Sequence, residues 1–314
     1  MRKKLYLIIP IVLTLIVSLI FVMMPKPSYD ISKETVNLYL KNNENAKNEI
    51  VQKLLKSVDV KRNINENNIS FEIKGSFFIL NLDDKKFYVI AYEEVGDKYT
   101  FKGVVDSFIT VQDIFLVPLK VSDENIILVR EHVDQIESAG EVGTFLRGYV
   151  HSDGEFNQIL SLIESFKAYS ERNFESIRSN NVRWQRIMQL SNIKWRNEKF
   201  PVVTVAKKQT HALSSYTNEP YLPLDEYFEE VASREVESTY YWSQKFRHFI
   251  LFEGVEIVNN EEIAILEVLY DSPFGLISDF NENKQRYLVK YQNGDIKIAE
   301  KSIIRIQNAG ISIK

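Results

Sequence analysis

The chain has no cysteine. That absence removes disulfides, thiolate nucleophiles, Cys-ligated zinc and Cys-linked lipid together. Glycine and proline are scarce as well, 11 and 8 among 314 residues, so regular elements are expected rather than flexible linkers. Neither sign of charge dominates. With 39 basic against 43 acidic residues and a net charge of −4, no global field would gather nucleic acid. No P-loop, G-x-G-x-x-G, EF-hand, H-E-x-x-H or G-x-S-x-G pattern occurs. The histidines are His132, His151, His211 and His248, and none stands at H-x-H or H-x-x-x-H spacing. No metal and no cofactor is expected from them. His248 falls on the apolar side of its segment, where a satisfied core histidine is the ordinary outcome.

What is present is aromatic. The 19 Phe and 16 Tyr, with 45% hydrophobic and 26% charged residues, describe a chain that folds by packing alone. One run stands apart: Leu5–Met24 is almost unbroken in its apolar character, with only Thr14 and Ser18 polar. Its length suits a helix crossing a hydrocarbon core of about 30 Å. Arg2, Lys3 and Lys4 precede it, whereas Lys26 alone follows closely, so the expected orientation leaves the N-terminus cytoplasmic. The sequence thus predicts a single-pass cell-membrane protein. Residues 1–24 would be tip and anchor in the lipid bilayer, 25–31 a short linker, and 25–314 extracytoplasmic. A cleaved signal peptide is the rival, but no A-x-A-like triplet follows the run.

The rest reads as α+β in two parts. Over 32–140, Ser32 caps one helix and Asn45 a second, followed by an antiparallel meander with turns at Gly75-Ser76, Asp83-Asp84-Lys85 and Val95-Gly96-Asp97. Over 150–314, Ser152-Asp153-Gly154-Glu155 reads as a capping box. It would open a helix with Phe156, Ile159, Leu160, Ile163, Phe166, Phe174 and Ile177 on one face. A second helix would carry Trp184, Ile187, Met188 and Trp195, and Asp225 would cap a third. Lys207–Pro223 reads as a polar connection. One long strand is expected to place Trp242, Gln244, Phe246, His248, Ile250 and Phe252 on a shared face. Asn293-Gly294 marks a hairpin of type I′. Helices followed by long antiparallel strands suggest, as fold-level analogy, the curved sheet of the NTF2-like cone.

Two stretches carry candidate chemistry. Ser191-Asn192-Ile193-Lys194 matches S-x-x-K, where a lysine one helical turn on could take the serine's proton; the partner motifs S-x-N and K-T-G do not follow it. Segment 178–199 carries Arg178, Arg183, Arg186, Lys194, Arg196 and Lys199 against Glu198, interleaved with Trp184 and Trp195. Arg183, Trp184, Arg186, Lys194, Trp195 and Arg196 would suit an anionic surface such as lipid or wall polymer. Segment 219–237 is acidic in turn, so internal pairing of the two is the competing expectation. The functional expectation is a non-catalytic, membrane-anchored binding or scaffold protein of a bacterial-type cell envelope, with a protein partner in a membrane assembly. The alternatives are a serine hydrolase using Ser191 and Lys194, and a direct binder of anionic polymer or lipid.

Overall fold

The computed structural model of the chain describes residues 28–59, 69–82, 86–120, 124–136, 140–173, 182–197, 201–217, 221–276 and 285–307. They fall into two compact units, one within Met1–Leu80 and Ile90–Val104, the other within Asn81–Val89 and Val105–Lys314. The chain is predominantly β, which overturns the α+β expectation. Among the described residues there are two α-helices, and both belong to the first unit.

The first unit is built on β1 (Ile31–Ser32), β2 (Ile69–Lys74), β3 (Phe77–Leu82), β4 (Lys86–Val95) and β5 (Lys98–Phe108), in the sheet order β1-β5-β4-β3-β2. Helix α1 (Lys33–Leu40) starts where the Ser32 hydroxyl accepts from Thr35 N at 2.9 Å. Helix α2 (Glu44–Ser57) starts at Asn43, two residues before the cap the sequence suggested, with Oδ1 accepting from Ala46 N at 3.0 Å. Ile50 and Leu54 point inward at helical spacing, and both are fully buried with Phe78 and Leu80 of the sheet.

The second unit begins as one long meander. Strands β6 (Val111–Leu119), β7 (Glu124–Gln135), β8 (Glu141–Ser152), β9 (Glu155–Asn173), β10 (Val182–Asn197), β11 (Pro201–Thr217), β12 (Phe228–Ser243) and β13 (His248–Ile250) lie side by side in sequence order, every neighbour antiparallel. Strand β13 contacts β9, four places away in that order. At about 4.8 Å per strand a flat sheet would hold them roughly 19 Å apart, so the sheet is curled. Its concave side carries Leu128, Leu146, Leu160, Val203, Val205, Trp242 and Phe249 in one cluster. A second sheet follows from β14 (Phe252–Glu256), β15 (Glu261–Val268), β16 (Arg286–Tyr291), β17 (Ile296–Glu300) and β18 (Ile304–Gln307), ordered β17-β16-β15-β14-β18. Ile263, Ala264 and Ile265 are all fully buried, so β15 is covered on both faces.

Several expected helices are strands, for identifiable reasons. The run after Ser152 is β9. Its pairing with β8 skips Ile159 and Glu164, two bulges that each insert one residue. A period of two interrupted twice in this way spaces the apolar residues by three and four, which imitates a helix face. The supposed capping box is a two-residue hairpin: Ser152 pairs Glu155, while Asp153 and Gly154 take φ of +56° and +84°. Segment 182–197 is β10. After Asp225 comes a single 3-10 turn, Asp225–Tyr227, and then β12. The expected polar connection is mostly β11, and the long strand near Trp242 is broken by a turn at Gln244–Arg247. The Asn293-Gly294 hairpin is present with different geometry. Gly294 N donates to Tyr291 O at 3.0 Å and Gly294 alone of that turn has positive φ, +94°, a three-residue loop rather than type I′.

Among the described residues no helix is long and apolar enough to cross a membrane, and Leu5–Met24 lies outside them. The expectation of a single-pass membrane anchor with an extracytoplasmic remainder is corrected accordingly and carried no further.

Candidate functional site

Strand alternation aims every second side chain of β9–β12 into the concave side of the curled sheet. There a cavity of about 470 Å³ is walled by Phe145, Leu160, Leu162, Val205, Leu266 and Leu288, and closed in part by Ser272 and Pro273. The last two belong to the segment joining β15 to β16, which forms two 3-10 turns, Leu269–Asp271 and Pro273–Leu276.

That segment is held by a row of polar side chains running across three strands. Gln189 of β10 stands opposite Gln209 of β11, which stands opposite Arg234 of β12. Gln209 Nε2 donates to Gln189 Oε1 at 2.6 Å, and Arg234 Nε donates to Gln209 Oε1 at 2.6 Å. The same groups capture three successive carbonyls of the crossing segment. Arg234 Nη2 donates to Tyr270 O at 2.5 Å and Ser272 O at 2.7 Å, and Gln209 Nε2 to Asp271 O at 2.9 Å. The guanidinium also lies 4.9 Å from the Tyr270 ring centroid. Gly275 completes the turn, because a Cβ there would stand 1.9 Å from Tyr270 O. Buried polar groups are tolerable here because nearly all are bonded.

Four ionisable side chains line the cavity: Lys207 of β11, Tyr240 of β12, His248 of β13 and Glu267 of β15. Lys207 is 8% exposed, and among the described residues neither it nor Glu267 makes a hydrogen bond or ion pair. Burial lowers the Lys207 pKa, with Glu267 and Asp271 opposing and Arg234 assisting. Burial likewise raises that of Glu267, against the pull of Lys207. For His248 burial is again the main cause, bringing its pKa down to about 4. Its Nδ1 lies 2.8 Å from Phe249 O, and a carbonyl only accepts, so Nδ1 carries the proton of the neutral ring.

Sequence reasoning singled out His248, as a core histidine, but not the other polar residues of the cavity. Lys207, Gln209 and His211 occupy inward positions of β11, where polar residues erase the alternation by which a strand is recognised. The signal that remained was Val202–Ala206, the apolar start of the same strand.

The residues that the basic, Trp-bearing segment and the S-x-x-K motif single out lie on β10. Arg183 pairs through its backbone with Arg172 and Thr217. Arg186 reaches the turn before β12: Nη1 donates to Asp225 Oδ1 at 2.9 Å, and its guanidinium lies 5.1 Å from the Phe228 ring. Asp225 also accepts from Lys167 Nζ and Tyr169 OH, each at 2.6 Å. Burial alone would raise the Asp225 pKa, but these bonds outweigh it and hold the carboxyl well below the usual range. Trp184 is half-buried on the same face as Arg186. Trp195 instead packs on the concave side, 5.7 Å from Phe249, while Lys194 and Arg196 are exposed on the other side. Strand geometry therefore puts Trp184, Arg186, Lys194 and Arg196 on one face and Trp195 on the other. Ser191 and Lys194, three apart on a strand, also point to opposite faces. The Ser191 hydroxyl accepts from Gln189 Nε2 at 3.0 Å, in line with the polar row.

Among the described residues no three His, Asp or Glu side chains gather as a metal site. Comparison of the chain with protein-family models, with characterised proteins and with solved structures finds no match in any of the three, so its function is read from this geometry.

Proposed function

We propose that the chain is a non-catalytic binding protein whose second unit holds a small, mainly apolar molecule between the curled sheet and the Leu269–Leu276 segment. The observation that carries this reading is the cavity itself. Its volume of about 470 Å³ sits within the range of small-molecule sites, about 300–1,000 Å³, and its walls are apolar with a few converging polar groups. Lys207, Tyr240, His248 and Glu267 share no hydrogen bond with one another, so no side chain is arranged to activate another as a nucleophile. Titration of the full chain with the neutral apolar dye Nile red tests the reading. Saturable binding is expected in the wild type and its loss in Leu288→Trp, which fills the cavity from a half-buried wall position opposite Glu267. Equal binding by both proteins would refute it.

A protein partner finds its best support at β17. That strand forms one edge of the second sheet, and Ile296 and Ile298 are 50% and 59% exposed on it. An edge with apolar side chains and, among the described residues, a partner on one side only suits addition of a partner strand. Ile298→Lys would then abolish any association of the chain seen by analytical ultracentrifugation.

A further inference from the structure

The two unpaired charges in the cavity restrict what it accepts. Lys207 is nine-tenths buried, points inward from β11 and lines the cavity, yet no acidic group lies within ion-pair distance of it among the described residues. Glu267 approaches the same space from β15 and likewise makes no hydrogen bond or ion pair among the described residues, so the attraction between the two acts only at a distance. A buried charge is disfavoured unless it is paired and hydrogen-bonded. The neighbouring polar groups do not help. Arg234, Gln209 and Gln189 are committed to each other and to the carbonyls of residues 270–272, and His248 Nδ1 to Phe249 O. A ligand bearing one charge would satisfy one of the two groups and leave the other stranded. An uncharged ligand would leave both. Only a molecule carrying both signs satisfies the pair together.

We propose that the ligand is a zwitterion with an apolar side chain, an α-amino acid of the leucine type, its carboxylate on Lys207, its ammonium on Glu267 and its side chain among Leu160, Leu162, Leu266 and Leu288. This rests on the cavity being a binding site, and it adds the charge pattern. The carboxylate would accept from the Lys207 ammonium, and the ligand ammonium would donate to the Glu267 carboxylate, each a charge-assisted bond formed away from bulk water. No covalent step is involved.

The test is displacement of Nile red from the full chain by four related probes: L-leucine, N-acetyl-L-leucine, L-leucinamide and N-acetyl-L-leucinamide. L-leucine should compete at least tenfold better than either singly charged analogue, and the doubly blocked one should be weakest. Lys207→Met should cost L-leucine at least tenfold while leaving L-leucinamide unchanged, and Glu267→Gln should do the reverse, sparing N-acetyl-L-leucine. Should either variant fail to fold, the four probes on the wild type decide alone. If Nile red binds and Leu288→Trp abolishes it, but L-leucine fails to compete even at millimolar concentration, the zwitterion is refuted and the binding site stands. The zwitterion is equally refuted if N-acetyl-L-leucine competes better than L-leucine. If no Nile red binds at all, both proposals fall.

Discussion

Arg234 ties β11, β12 and the Leu269–Leu276 segment together. Three hydrogen bonds leave its guanidinium, one to Gln209 and two to the carbonyls of Tyr270 and Ser272. Bonds to a charged group contribute about 1.5–3 kcal/mol each, though members of one network do not add. Arg234→Met is therefore expected to lower stability by about 2–4 kcal/mol in urea unfolding. A change below about half a kcal/mol would show that the crossing segment is held by its apolar residues alone. His248 acts in the opposite sense, as a group that folding prefers uncharged. The unfolded chain takes up its proton near pH 6.5, the folded protein only near 4. Between those values the unfolded state binds more protons, so this contribution is complete above about pH 6.5 and disappears as pH falls toward 4. It amounts to about 3 kcal/mol at about 1.36 kcal/mol per unit. Glu267, with its raised pKa, works against that slope, so the comparison of wild type with His248→Gln isolates the histidine. The variant should show a shallower loss between pH 6.5 and 4; parallel curves would mean that His248 is solvated.

Elements in this protein are specified by interruptions as much as by pattern. Strand β9 needs its bulges at Ile159 and Glu164 to keep Leu160 and Leu162 turned inward, and Glu164 is then fixed by two bonds from Arg130, at 2.7 and 3.0 Å. Leu160 is 2% exposed, and truncating it to Ala is expected to cost about 2–5 kcal/mol. Ile163, half-buried at the cavity wall, should tolerate the same change better. Equal losses at the two positions would contradict the bulged register. The turn that begins β9 is equally specific. Gly154 holds φ at +84°, a region that L side chains avoid at about 1–2 kcal/mol, so Gly154→Val should lower the melting temperature without changing the strand signal in circular dichroism. No change would mean that the hairpin has relaxed to a wider loop.

Taken whole, the second unit is a meander whose contacts run mostly between sequence neighbours, with the centre of the sheet protected and its margins exposed. Amides of β10–β12, paired on both sides, should exchange with solvent most slowly, and those of edge strand β6 among the fastest. Uniform exchange across the sheet would argue against a single cooperative centre. Composition by itself determined that this chain folds by packing without disulfides, and local pattern determined the first helix pair, the Ser32 cap and the turns at Gly75, Gly96 and Gly294, because capping and positive φ are properties of a few adjacent residues. Everything beyond that range was decided by tertiary structure. Bulges in β9 gave strand residues a helical spacing. Within the inward polar group, Lys207 and Gln209 erased the alternation of β11. Such residues are acceptable inside only when partners from β12 and from the Leu269–Leu276 segment arrive to bond them, and those partners lie 25 to 62 positions away in the chain. A sequence read locally holds no trace of that meeting, which is why the cavity and its two charges emerged only with the fold.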